Sequence, residues 1–171
     1  LIWNGFGISD VQSLTNNFRL PVVTTMSCST ARFDDADCIG EWFVLEPDGG
    51  SIAYFGATRI AYAYPSKSSP YGLMGEIDRR IYESYYEGFT KLGQMWGQPI
   101  KKYIQSHIWN YQTALMHDVK TVMEFVLLGD PTLGIGEKPF EDGFESGSFS
   151  AWTGKSVSSG ETATVTGTRC Y

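Results

Sequence analysis

The chain has 171 residues, room for one ordinary domain or for one incomplete domain with part of another. Its apolar content of 42% is ample for a core, and no apolar run approaches the roughly 18 residues that span a bilayer. A net charge of −6, from 19 acids against 13 bases with no basic stripe, argues against a nucleic-acid partner, and three cysteines are too few and too oddly numbered for a disulfide framework.

The first element that the pattern predicts is a buried strand over Pro21-Val22-Val23-Thr24-Thr25-Met26. β-Branched side chains suit a pleated sheet packed on both faces. Cys28 stands where that strand runs out, at the carboxyl edge of the sheet, where ligands bind in open α/β folds. A thiol there is a candidate nucleophile. The competing reading is one more small buried residue. Ser29, Thr30 and Ala31 are small enough for a tight turn with close approach of a substrate backbone. Asp34, Asp35 and Asp37 are good N-cap or first-turn residues. They precede Cys38-Ile39-Gly40-Glu41-Trp42-Phe43-Val44-Leu45, whose apolar positions share a helical face. Such a helix would point its N-terminus toward Cys28, a setting in which reactive cysteines occur.

Glu46-Pro47-Asp48-Gly49-Gly50 is a breaker cluster, and Ser51–Ala57 reads as the next buried strand, parallel to the first. Cys38 falls on the apolar helical face and is expected in the core; neither it nor Cys28 has partners at zinc-ligand spacing. From Gly72 to Leu92, residues 74, 77, 81, 85 and 89 follow helical spacing, which would turn Glu76, Asp78, Arg79, Arg80, Glu83 and Glu87 to solvent. The Tyr85-Tyr86 pair is expected to pack against the sheet. Gly93, Gly97 and Pro99 punctuate the chain before a second helical stripe through Ile100, Tyr103, Ile104, Ile108, Tyr111 and Leu115, continuing through Val119, Val122, Met123 and Val126. His107 and His117 lie on or beside it and read as structural. Leu127-Leu128-Gly129 ends that helix, and Asp130-Pro131 suits positions i and i+1 of a type I turn, so Asp130 reads as architecture.

Composition then shifts. Gly134–Pro139 is a short linker, and 16 of the 31 residues in 141–171 are Gly, Ser or Thr. The expected division is residues 1–139, then 140–171 as the start of a β-sandwich module or a linker, with 162–166 alternating at strand period.

The ordered pieces SDVQSLTNN (9–17), LPVVTTMSCSTARFDD (20–35), CIGEWFVL (38–45), PDGGSIAYFGATR (47–59) and LLGDPTL (127–133) resemble the gingipain-like cysteine peptidases. The resemblance implies an α/β fold with a caspase-like sheet and flanking helices, present here as a partial domain, followed by a short β-rich tail. It makes Cys28 the catalytic nucleophile of an endopeptidase acting on polypeptides, secreted or at the cell surface. It implies no cofactor; calcium as a structural ion is allowed, with Asp34, Asp35 and Asp37 as weak ligands because capping already accounts for them. Ala31 departs from a glycine common in the family's turn.

The family's catalytic histidine precedes the segment matching 9–17, whereas the two histidines here, His107 and His117, lie well downstream. Two explanations stand. Either the chain is an interior piece of a longer protein that begins just after that histidine, or Gly5-Phe6-Gly7 is the corresponding turn with Phe6 replacing it. The first is favoured, because only Ile8 and Ser9 separate Gly7 from Asp10. Leu1 is not an initiator methionine, and no signal peptide is recognisable. On this reading the 171 residues alone are inactive. The alternative function is a peptidase-like scaffold that has lost catalysis and works as a surface or binding module.

Overall fold

A computed structural model describes residues 5–34, 37–64, 70–108 and 115–136. The chain divides after Ile135, and the expected β-rich tail lies outside the described residues.

Among the described residues three strands form a sheet, in the order β1 (Val22–Thr24), β2 (Ala53–Ala57), β3 (Phe125–Gly129). β1 pairs parallel to β2, with Val22 opposite Ala53 and Thr24 opposite Phe55. β2 pairs antiparallel to β3, from Ala53 against Gly129 to Ala57 against Phe125. Five helices are described: α1 (Ile8–Val11), α2 (Ile39–Leu45), α3 (Leu73–Tyr86), α4 (Leu92–His107) and α5 (Met116–Glu124).

The central strand is buried along its whole length, which is why it reads as an unbroken run of small and apolar residues. Side chains alternate across it. Ala53, Phe55 and Ala57 join Met74, Ile77 and Ile81 of α3, Leu92, Met95 and Tyr103 of α4, and Phe125 in the main core. Tyr54 faces α2 instead, where its ring stacks on Phe43 at 5.5 Å and Phe43 in turn stacks on Phe6 at 5.8 Å. Each fully buried large apolar side chain of the main core, such as Phe55 or Ile77, contributes about 1.5–3 kcal/mol relative to exposure.

The helical stripe does not run on to Leu128. α4 ends at His107, α5 at Glu124, and Phe125-Val126-Leu127-Leu128-Gly129 is a strand. A short apolar run satisfies either period, and pairing with β2 decides it. Tyr111, assigned to that stripe, lies outside the described residues.

α4 starts before Pro99 rather than after it, because Leu92, Met95, Pro99 and Tyr103 form one buried stripe whose packing outweighs the lost backbone donor. Its first amides are satisfied by the turn after β3: Leu92 N donates to Leu133 O at 3.0 Å and Gly93 N to Pro131 O at 2.9 Å. Asp130 builds that turn, its Oδ1 accepting from Thr132 N and Thr132 Oγ1, both at 2.8 Å. Those bonds hold its carboxyl below the usual range.

On α3, Met74, Ile77 and Ile81 are buried as expected. Glu76 is not at the surface: it is 4% exposed between α3 and α4, paired with Arg80 at 2.6 Å and with His107 at 3.1 Å. Arg80 bonds one oxygen and His107 the other, so neither is buried without a partner. Tyr85 and Tyr86 are exposed and do not pack on the sheet.

Candidate active site

β1 stops after Thr24, but its backbone keeps company with the chain leaving β2. Thr25 N donates to Phe55 O at 2.9 Å, Ser29 N to Arg59 O at 2.9 Å and Ala31 N to Ala57 O at 3.0 Å. The intervening turn places Cys28 at the carboxyl edge of the parallel pair, as the pattern predicts. Cys28 is exposed, and its described hydrogen-bond partners are both on Ala61: Sγ accepts from Ala61 N at 3.4 Å and lies 3.6 Å from Ala61 O. The thiol therefore sits between the turn after β1 and the segment after β2. Ser29, next in line, has φ +56°, the left-handed region that a non-glycine residue enters only at a cost.

Cys38 is different in kind. It is 7% exposed, and burial pushes its thiol up. It is also the N-cap of α2, its amide donating to Glu41 Oε2 at 2.9 Å, so the cap is neither Asp34 nor Asp37. Asp34 instead takes a two-point bond from Arg59, at 2.9 and 2.6 Å, which holds its carboxyl below the usual range. Asp35 lies outside the described residues. α2 does begin close to the cysteine turn, but its Gly40 amide donates to Thr30 O at 2.9 Å, so it braces the turn's backbone. Among the described residues no cluster of three or more His, Cys, Asp or Glu side chains is arranged to hold a metal.

Among the described residues neither histidine is bonded to Cys28. His107 Nε2 is bonded to Glu76 and its ring lies 4.4 Å from that of Tyr103. His117 meets the Tyr62 ring edge-on at 4.5 Å. Phe6 lies on Phe43, and Gly7 caps α1 directly, its amide donating to Asp10 Oδ2 at 2.7 Å. A cavity of about 640 Å³ opens at the same end of the sheet, lined by Phe33, Asp34, Thr58, Arg59, α5 and Val126. The bond of Arg59 to Asp34 and the ring contact of Tyr62 with His117 are not legible in the sequence; Arg59 lies two residues and Tyr62 five beyond the buried strand, at its carboxyl end.

A caspase-like α/β sheet with an exposed cysteine at the end of a parallel strand defines the fold class. The chain belongs to peptidase family C25, whose family model matches residues 2–136. Its fold is similar to that of the arginine-specific cysteine proteinase gingipain R, at 17% identity and a TM-score of 0.59 over 75% of this chain and 29% of that one. It is also similar to the complex of the pro- and mature domains of RgpB from Porphyromonas gingivalis, at 19% identity and a TM-score of 0.59 over 76% of this chain and 30% of that one. A further structure, described only as a protease, is matched at 17% identity with a TM-score of 0.54, over 74% of this chain and 30% of that one. The chain thus spans less than a third of the length of these proteins. No curated protein sequence matches it.

Proposed function

We propose that this chain carries the nucleophile of a cysteine endopeptidase and that Cys28 is that nucleophile. The observation that carries the reading is the exposed Cys28 thiol at the carboxyl end of β1, in a chain whose family is a peptidase family. In the reaction, Cys28 Sγ attacks the scissile carbonyl carbon as the C=O π pair moves onto oxygen. The Cys28 backbone N–H donates to that oxyanion. Collapse of the tetrahedral intermediate breaks the C–N bond, and the leaving amine takes the proton that the thiol gave up. Water then hydrolyses the thioester and frees Cys28.

The proton carrier is a histidine from polypeptide preceding Leu1. What supports this is that His107 is engaged by Glu76 and His117 by Tyr62. The substrate is a polypeptide, the chemistry needs no cofactor, and the parent acts outside the cell or at its surface. No helix among the described residues is long and apolar enough to cross a membrane. The test is digestion of casein by the full-length parent beside its Cys28→Ala variant. Cleavage that disappears with the thiol is expected; an inactive wild type, or cleavage that survives in the variant, refutes the assignment and favours a non-catalytic scaffold.

A further inference from the structure

The cysteine turn is tied to the middle of β2 by a line of hydroxyl groups. Tyr54 is wholly buried on the α2 side of the sheet. Its ring fits because two glycines leave room along its Cδ1–Cε1 edge. A Cβ on Gly40 would come within 2.8 Å of Tyr54 Cδ1, and one on Gly56 within 2.7 Å of Cε1 and 2.8 Å of Thr30 Oγ1. The phenol oxygen lies 3.1 Å from Thr25 Oγ1, which lies 2.9 Å from Thr30 Oγ1. Thr30 Oγ1 donates in turn to Ser27 O, at 3.3 Å.

Each hydroxyl has one proton to give. Thr30 spends its proton on the Ser27 carbonyl, so it must accept from Thr25, and Thr25 must accept from Tyr54. The chain of donors runs one way, from the core of β2 to the carbonyl immediately before Cys28. Burial pushes the Tyr54 phenol up, which keeps its proton in place. The turn it reaches needs holding, because Ser29 stands at φ +56° and such a conformation persists only where its surroundings impose it.

We propose that Tyr54, Thr25 and Thr30 are positioning residues for Cys28: their hydroxyl chain, anchored by the Tyr54 ring that Gly40 and Gly56 leave room for, fixes the turn that presents the thiol. None of the three is assigned contact with substrate. The role rests on the reading of Cys28 as the nucleophile.

Three substitutions separate positioning from bulk stability. Thr25→Val removes the middle hydroxyl at similar volume, and Thr25→Ser keeps it; Tyr54→Phe removes the first donor. Amide hydrogen exchange on the 171-residue chain reads the turn directly. In Thr25→Val and Tyr54→Phe the Ser29 and Ala31 amides should exchange roughly tenfold faster, as expected for losing one hydrogen bond, while β3 amides keep their rates. Thr25→Ser should stay near the wild type. In the full-length parent, Thr25→Val should lower kcat by about tenfold or more with KM little changed, since misplaced reacting groups lose rate rather than binding. Unchanged exchange at Ser29 and Ala31, equal acceleration across the whole sheet, or a serine variant no better than valine would overturn the proposal. A wild-type parent with no peptidase activity overturns the functional reading instead. Should Tyr54→Phe not fold, the valine and serine pair decides.

Discussion

Gly40→Ala offers a perturbation whose sign the packing reverses. In an open helical position, replacing glycine by alanine gains about 0.8–1 kcal/mol of helix propensity. At Gly40 the added methyl would stand 2.8 Å from Tyr54 Cδ1 and 2.9 Å from Thr30 O, well inside ordinary contact. Neither neighbour yields easily: Tyr54 is fully buried, and Thr30 O accepts the hydrogen bond of Gly40's own amide. Overpacking costs about 1–3 kcal/mol, and weakening that bond about 1 kcal/mol more. Set against the propensity gain, the net effect is a loss of about 1–3 kcal/mol. For a chain of this size a loss of about 2 kcal/mol lowers Tm by about 4–8 °C. Thermal unfolding followed by circular dichroism measures it. Gly97 supplies the control, because it lies inside α4 with no neighbour within 4 Å of its Cβ direction, and Gly97→Ala should raise Tm by about 2–4 °C. If Gly40→Ala also raises Tm, α2 does not pack on Tyr54 as described.

Other substitutions probe the polar interior and the chemistry. Glu124 is 4% exposed, with neither carboxylate oxygen hydrogen-bonded among the described residues and Lys120 3.7 Å away, and burial pushes its carboxyl above the ordinary value of 4.5. The folded state therefore binds the proton more tightly than the unfolded state, so stability is present at acid pH and is lost as pH rises from about 4.5 through the raised folded value. Glu124→Gln should flatten that slope and gain about 1 kcal/mol at pH 7 in urea melts; a slope parallel to the wild type would contradict this. Tyr103 donates to Asp118 Oδ1 at 2.5 Å and accepts from Leu73 N at 3.1 Å, so Tyr103→Phe strands both and should cost about 2–3 kcal/mol in the same assay, a loss under about 0.5 kcal/mol counting against the network. On the proposed reading, in which the proton carrier comes from preceding polypeptide, the 171-residue chain alone should not cleave casein, general acid–base help being worth about 10²–10⁴-fold; turnover abolished by Cys28→Ala would mean that His107 or His117 reaches the thiol.

What the sequence made legible was local. β-Branched Val22-Val23-Thr24, the Pro47-to-Gly50 breaker and the buried run ending at Ala57 disclose a strand, helix and parallel strand, and Cys28 stands out at the end of the first. What stayed hidden depends on partners far along the chain. Phe125-Val126-Leu127-Leu128 continues a helical stripe as well as it forms a strand, and only β2, some seventy residues earlier, decides between them. Glu76 looks solvent-facing until His107 arrives from α4. Asp34 looks like a cap until Arg59 reaches it. The Tyr54–Thr25–Thr30 line likewise joins a strand interior to a turn that precedes it by some two dozen residues.

Covalent labelling tests most directly whether Cys28 is the nucleophile. The full-length parent would be treated with a limiting amount of a peptidyl chloromethyl ketone, and the adduct located by mass spectrometry. Cys28 is exposed and Cys38 is 7% exposed with its thiol pushed up, so a single early adduct on Cys28 is expected. First labelling of Cys38 or Cys170 would contradict the assignment.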